Sequence, residues 1–231
     1  MRIAIHGDSL TEGIPGLSFF RALEAMIPEH GLVNCGKRGD TVVSLFRRIA
    51  QDGPHNPVDL AILWVGVNDV LAKVSRSHST LKRLMRQPRA KDLAEFRDYY
   101  NRTLTLLRPS ADAILVVSPL LIGEDLSNRW NQEIGEFCKI IASASSFCDQ
   151  VHYLNLRAEL PIGGSGSGLS DYIPKSVTRI AWDSLFLRTP AAVDKAASRR
   201  GLRLTLDGVH LNSAGVEVVA EAFRKAIGRL S

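Results

Sequence analysis

Two hydrophobic periods alternate along this chain. Short runs of branched aliphatic residues, bounded by glycine, proline or small polar residues, mark strands. Longer stretches with apolar residues every three or four positions mark helices. Arg2-Ile3-Ala4-Ile5-His6 is the first short run and breaks at Gly7. Phe19, Phe20, Leu23, Met26 and Ile27 keep helical spacing until Pro28. Leu32-Val33-Asn34 is a second strand. A glycine-bearing turn from Gly36 to Asp40 follows, and Asp40-Thr41 sits at the cap of a helix carrying Val42, Leu45, Phe46 and Ile49. Val58 to Val65 is the strongest strand, continuously apolar from Leu60, as a central parallel strand covered on both faces should be. It ends in Gly66-Val67-Asn68-Asp69.

The second half repeats the alternation. Asp92 with Glu95 resembles a capping box before an amphipathic helix of Leu93, Phe96, Tyr100, Leu104 and Leu107. Ala113 to Val117 is a fourth strand, ending at Ser118-Pro119. Ser127 precedes a long helix with Trp130, Ile134, Phe137, Ile141 and Ala144 on one face, and Val151 to Leu156 is a fifth strand. Gly163 to Gly168 reads as a flexible connector. Tyr172 to Arg203 is expected to give helical pieces near the site or on the flank. Asp207-Gly208-Val209-His210-Leu211 is a loop, after which Asn212-Ser213 can cap a last helix burying Val216, Val219, Phe223 and Ile227. Strands alternating with helices predict an α/β fold with a central parallel sheet of about five strands, covered by helices on both faces. No linker or repeat divides the chain, so residues 1–231 read as one domain.

Composition narrows the class. At 231 residues, 45% hydrophobic and 23% charged, the chain has enough apolar material for a full core. No apolar run approaches the ~20 residues of a membrane span, and no signal peptide is visible, so a cytoplasmic location is expected. Cys35, Cys138 and Cys148 are too few for a disulfide framework and lack metal-ligand spacing. The net charge of +5 permits an anionic partner without requiring one.

Gly7-Asp8-Ser9-Leu10 places a serine where a buried strand gives way to a helix, the position α/β enzymes use for reactive groups. Ser9 is the candidate nucleophile. His210 is the late histidine that falls in a loop, and Asp207 lies three residues before it, so one turn can hold carboxylate and imidazole together. The Ser9 N–H, the Gly39 N–H and the Asn68 amide are candidate oxyanion donors. Each residue also has an ordinary reading. Asp8, Ser9 or Thr11 can merely cap a helix, Gly39 can supply a positive φ, and Asn68-Asp69 can cap the next helix. A lone His210 can be a surface histidine. His6 and Trp64 read as packing, and His30, His55, His78 and His152 as solvent or loop residues.

Gly7-Asp8-Ser9-Leu10, Gly39 within Asn34-x-Gly36-x-x-Gly39-Asp40-Thr41, Gly66-x-Asn68-Asp69, and Asp207-x-x-His210 resemble, in order, the four blocks of the GDSL or SGNH hydrolase family. The resemblance spans most of the chain. It implies a flavodoxin-like three-layer α/β/α sandwich and a Ser9–His210–Asp207 triad. It also implies an oxyanion hole of Ser9, Gly39 and Asn68, and ester hydrolysis through an acyl-enzyme without a metal or cofactor. Asp8 is a supporting residue, bonding the loop that holds Ser9.

Substrate class stays open between simple acyl esters, acetylated carbohydrates, and lysophospholipids or thioesters. Residues 70–91 contain Lys73, Arg76, Lys82, Arg83, Arg86, Arg89 and Lys91 and no acid. This stretch is either a solvated helix face or a lid over the crevice that favours anionic esters. A nucleotide- or phosphate-binding module of the same fold is disfavoured, because Gly7 to Gly13 has neither a P-loop nor a G-x-G-x-x-G pattern. Nucleic-acid binding through the basic stretch is a further rival and is not expected.

Overall fold

A parallel strand pair needs a crossover of a dozen or more residues, and a helix fills each one here. In this computed structural model, which describes residues 1–53, 57–146, 148–162, 170, 172–173 and 175–231, the strands are β1 Arg2–Gly7, β2 Gly31–Gly36, β3 Val58–Trp64, β4 Ala111–Val117 and β5 Val151–Leu154. All neighbours pair in parallel, in the order β2-β1-β3-β4-β5. Ile5 of β1 stands opposite Asn34 on one side and Ile62 on the other. The helices are α1 Ser9–Glu12, α2 Phe19–Met26, α3 Val42–Asp52, α4 Val67–Val74, α5 Arg76–Leu84, α6 Leu93–Leu107, α7 Arg129–Ser145, α8 Val177–Phe186, α9 Pro190–Arg199 and α10 Ser213–Gly228.

The helices divide into two groups that cover the sheet. α2 packs with α10, while α6 packs with α3 and α7. Their aromatic residues make the two halves of the core. Phe19 of α2 and Phe223 of α10 meet Trp64 of β3, with ring centroids 5.2 and 5.4 Å from the indole. Phe96 of α6 stacks on Phe137 of α7 at 4.0 Å. Ile62 and Leu63, which point to opposite faces of β3, are both fully buried. Among the described residues, no helix is long and apolar enough to cross a membrane.

The alternation expected from sequence is present, with differences at edges and in the inserts. The fifth strand stops at Leu154 rather than Leu156, because the chain turns into a short 3₁₀ segment, Leu156–Glu159. The basic stretch folds as α4 and α5, and the poorly legible stretch before Arg203 folds as α8 and α9. Cys35 is buried, and all three cysteines are free thiols. The Gly163–Gly168 connector and His55 lie outside the described residues.

One buried carboxyl ties the last loop to the sheet. Glu124, fully buried after β4, accepts hydrogen bonds from the N–H groups of Arg203, Leu204 and Thr205 at 2.7 to 2.8 Å and from the Thr205 hydroxyl at 2.8 Å. The N–H of Gly123 donates to the carbonyl of Gly208 at 2.7 Å. Removing the carboxyl would strand several buried donors. Glu124→Ala is therefore expected to lower unfolding free energy by about 3–5 kcal/mol, read as a lower urea midpoint at unchanged slope. Glu124→Gln, which keeps an acceptor, should lose less. An alanine variant with the wild-type midpoint would show that the loop is held by something else.

Candidate active site

Strand order reverses between β1 and β3, and at such a switch point the loops leaving the carboxyl ends diverge and open a crevice. Four loops converge on it. β1 ends at Gly7, where a Cβ would run into the Trp64 carbonyl oxygen, so only glycine lets the chain turn beside β3. Asp8 then caps α1, its Oδ1 accepting from the Leu10 N–H at 3.0 Å. Ser9 is thereby the first residue of that short helix, where backbone N–H groups have no partner within the helix.

The loop after β2 is anchored to the end of β1 and to α1. The Lys37 N–H donates to the Gly7 carbonyl at 3.0 Å, and the Arg38 N–H donates to Glu12 Oε2 at 2.6 Å. Gly39, at φ 79°, brings its backbone to the crevice. Asn68 lies in the first turn of α4, after Gly66 at the N-cap. Asn68 and Asp69 do not cap this helix. Asp69 instead accepts from the Val42 N–H at 2.9 Å and the Ala90 N–H at 3.2 Å, joining the start of α3 to the end of the basic segment.

The fourth loop carries Asp207 and His210. Asp207 Oδ1 accepts from the Val209 and His210 N–H groups at 3.1 and 2.9 Å, an Asx-type turn that orients the carboxyl. Its Oδ2 lies 2.9 Å from His210 Nδ1, and His210 Nε2 lies 3.0 Å from Ser9 Oγ. An ionised carboxylate only accepts, so Nδ1 carries the proton and Nε2 is left to accept from the hydroxyl. Burial pushes the Asp207 carboxyl up. The His210 ring and the two N–H groups more than offset this and hold it below the ordinary aspartate value. The structure brings Ser9, Gly39, Asn68 and His210 to one cavity, with Asp207 behind the imidazole.

Behind Gly39 and Asn68 lies a network that the sequence did not announce. Asn68 Nδ2 donates to Asp8 Oδ2 at 3.0 Å, and Asn68 Oδ1 accepts from Lys82 Nζ at 2.8 Å. Lys82 Nζ also donates to the Gly39 carbonyl. Lys82 is buried, unlike its neighbours Arg83 and Arg86, so it is neither part of a solvated face nor a rim residue. It shares one side of α5 with the buried His78, four residues earlier, but among so many basic residues that spacing alone does not mark it for burial. His78 and Lys82 both line the cavity, which corrects the expectation of His78 as a solvent or loop residue. His152 is likewise half-buried in β5. Trp64 packs against Phe19 and Phe223, as expected, and His6 is buried in β1.

Burial raises Asp8 and Asp69 to about 6 against the pull of their N–H donors and Lys82, and lowers Lys82 to about 8. Both carboxylates and the ammonium are thus charged together between these values. Folding makes both carboxyls bind protons more tightly. Their stabilising contribution is present below about pH 4 and lost as pH rises through about 6. Lys82 binds its proton less tightly when folded, and that deficit is relieved as pH rises from about 8.

The cavity, ≈ 350 Å³, has a polar floor and apolar walls. Leu81 and Met85 come from α5 and the residue after it, and Val177 and Ile180 come from α8. Among the described residues, no group of three or more His, Cys, Asp or Glu side chains is placed to hold a metal ion.

The profile of the GDSL-like lipase/acylhydrolase family matches residues 5–218. Among curated proteins none matches by sequence. The fold is shared with LAE5, an α/β hydrolase from the metagenome of Lake Arreo, Spain, at 19% identity and TM-score 0.66, covering 100% of this chain and 96% of that one. It is shared with the acetyl xylan esterase AlAXEase at 23% identity and TM-score 0.66, covering 98% and 100%. It is also shared with the acetylxylan esterase Axe2 of Geobacillus stearothermophilus at 18% identity and TM-score 0.65, covering 98% and 94%. With the profile spanning nearly the whole chain, this protein belongs to the GDSL-like lipase/acylhydrolase family and is an ester-cleaving enzyme.

Proposed function

We propose that Ser9, His210 and Asp207 cleave a carboxylic ester through an acyl-enzyme. The carrying observation is the unbroken contact Ser9 Oγ–His210 Nε2–Nδ1–Asp207 Oδ2, at 3.0 and 2.9 Å. In this reading Ser9 Oγ attacks the ester carbonyl while His210 Nε2 takes its proton. Asp207 stabilises the imidazolium that forms, and His210 then returns the proton to the leaving alcohol. The Ser9 and Gly39 N–H groups and the Asn68 amide receive the developing oxyanion, each donor supporting about 3 kcal/mol of barrier lowering. Water, activated by the same imidazole, then releases the acid from Ser9.

A fluorophosphonate should label the wild-type protein once and leave Ser9→Ala unlabelled. Ester turnover in Ser9→Ala should fall on the order of 10⁴-fold or more. Labelling that persists in the alanine variant would move the nucleophile elsewhere.

For substrate, the apolar walls favour an acyl chain longer than acetyl. Each methylene moved from water into them is worth about 0.8 kcal/mol, roughly fourfold in kcat/KM. Across p-nitrophenyl esters, kcat/KM should therefore climb from acetate to medium chain lengths before the cavity is filled. The second reading is removal of acetyl groups from carbohydrate, favoured by the shared fold with two acetylxylan esterases. A profile that peaks at acetate, with turnover of acetylated xylo-oligosaccharides, would select it.

A further inference from the structure

We infer that the two helices walling the cavity form a lip that docks on an anionic lipid surface, from which the enzyme draws its ester. This rests on the acyl-ester reading of the site. Eight large apolar side chains are exposed among the described residues, and five of them lie on or beside these helices. Leu84 is 79% exposed at the end of α5, with Met85 next to it. Trp182, at 60%, leads Leu185 and Phe186 on α8. Other residues of the same two elements, Leu81, Val177 and Ile180, face the catalytic cavity. The lip is thus apolar on its inner wall and on its outer surface, continuous with the site. A soluble protein seldom leaves such a patch uncovered at a cavity mouth unless something apolar meets it there.

Charge selects the occupant. Arg83 and Arg86 bracket Leu84 and Met85, and Arg179 and Arg188 bracket Trp182, Leu185 and Phe186. Residues 76–91 contain no acid. Asp183, the acidic residue of α8, is buried between Arg179 and Arg200, 3.4 and 2.8 Å away. Large apolar side chains framed by arginines match an anionic bilayer surface, where the rings enter the headgroup region and the guanidinium groups meet phosphates. A second copy of this face would bring like charges together.

Trp182 provides a reporter, because Trp64 is buried and Trp130 half-buried. Phosphatidylcholine vesicles containing phosphatidylglycerol should shift tryptophan emission to the blue and co-sediment the protein, at least tenfold more tightly than phosphatidylcholine alone, with salt weakening the binding. The triple variant Leu84→Ser, Leu185→Ser, Phe186→Ser should lose vesicle binding and keep wild-type turnover of a soluble p-nitrophenyl ester. Wild-type protein that hydrolyses the soluble ester but ignores both vesicles would overturn the inference. So would a wild-type dimer that the triple variant makes monomeric. Failure of the esterase reading is distinct: the wild type would not turn over the soluble ester at all.

We further infer that Lys82 is a positioning residue for the oxyanion donors. An ammonium only donates and an ionised carboxylate only accepts, so Lys82 on Oδ1 and Asp8 on Nδ2 prevent the Asn68 amide from flipping. One Nδ2 hydrogen is held by Asp8 and the other is kept for the substrate oxygen. The same ammonium holds the Gly39 carbonyl, and so the turn that carries the second donor. Asp8, Asp40 and Asp69 act on Lys82 from three other elements. Arg38 and His210 line the cavity with it, and Arg47 and Arg83 line its outer side.

Loss of the Lys82 proton near pH 8 should unlock the amide, giving wild-type kcat an alkaline limb there. Losing one oxyanion donor costs ~10²–10³-fold, so Lys82→Met is expected to lower kcat roughly 10- to 100-fold with little change in KM, and to abolish the limb. Lys82→Arg, charged throughout, should restore part of kcat and move the limb upward. A merely structural lysine would reduce the yield of folded protein and leave the limb in place. A wild-type limb absent near pH 8, or unmoved in the arginine variant, would overturn the assignment.

Discussion

The candidate site depends on one hydrogen bond between the two ends of the chain. Ser9 and His210 are 201 positions apart, and their side chains meet at 3.0 Å. No local propensity can produce that contact. It follows from a parallel sheet whose order reverses beside β1, so that every loop leaving the carboxyl edge of β1, β2 and β3 opens toward one crevice. The closing loop must then reach the crevice from outside the sheet, and it does so under several restraints. Glu124 and Gly123 hold it from the β4 side, and the Leu17 N–H donates to the Leu211 carbonyl at 2.9 Å from the other.

The floor of the crevice is expensive to build. Asp8, Asp69 and Lys82 are all buried, and folding shifts each toward its neutral form. A core of apolar side chains would be more stable, since paired buried ions seldom recover their full desolvation cost. What the charges supply is direction. In the proposed mechanism they set which way the Asn68 amide points and where the Gly39 turn sits, the kind of electrostatic preorganisation that lowers a barrier. Stability is placed elsewhere, in the aromatic clusters around Trp64 and Phe96 on the two faces of the sheet.

The inserted helices divide the labour differently. α5 turns one side inward, with Lys82 and His78 buried, and leaves Leu84 and the arginines exposed. α8 packs against α5 and supplies the opposite wall. Neither helix belongs to the alternating core of the fold, and the proposed acyl preference and surface docking both reside there.

The order of strands and helices was legible in the sequence, because period-two and period-3.6 patterns are local consequences of which face each element buries. The continuous apolar run from Leu60 to Val65 named its own central position, and glycines at 7, 39, 66 and 208 marked the turns around the site. Ser9, Gly39, Asn68, Asp207 and His210 could be singled out because each stands at a strand end or in a loop in a recognisable order. Lys82 could not. In a stretch with so many basic residues its spacing alone gave no reason to bury it, and only the packing of α5 over the crevice brought its ammonium between Asn68 and Gly39. The same holds for Glu124, whose four partners lie about 80 positions away. Pattern reports which way a residue faces within its own element. What it meets there is decided by the approach of other elements, and a buried charge is tolerated only where those elements supply its partners.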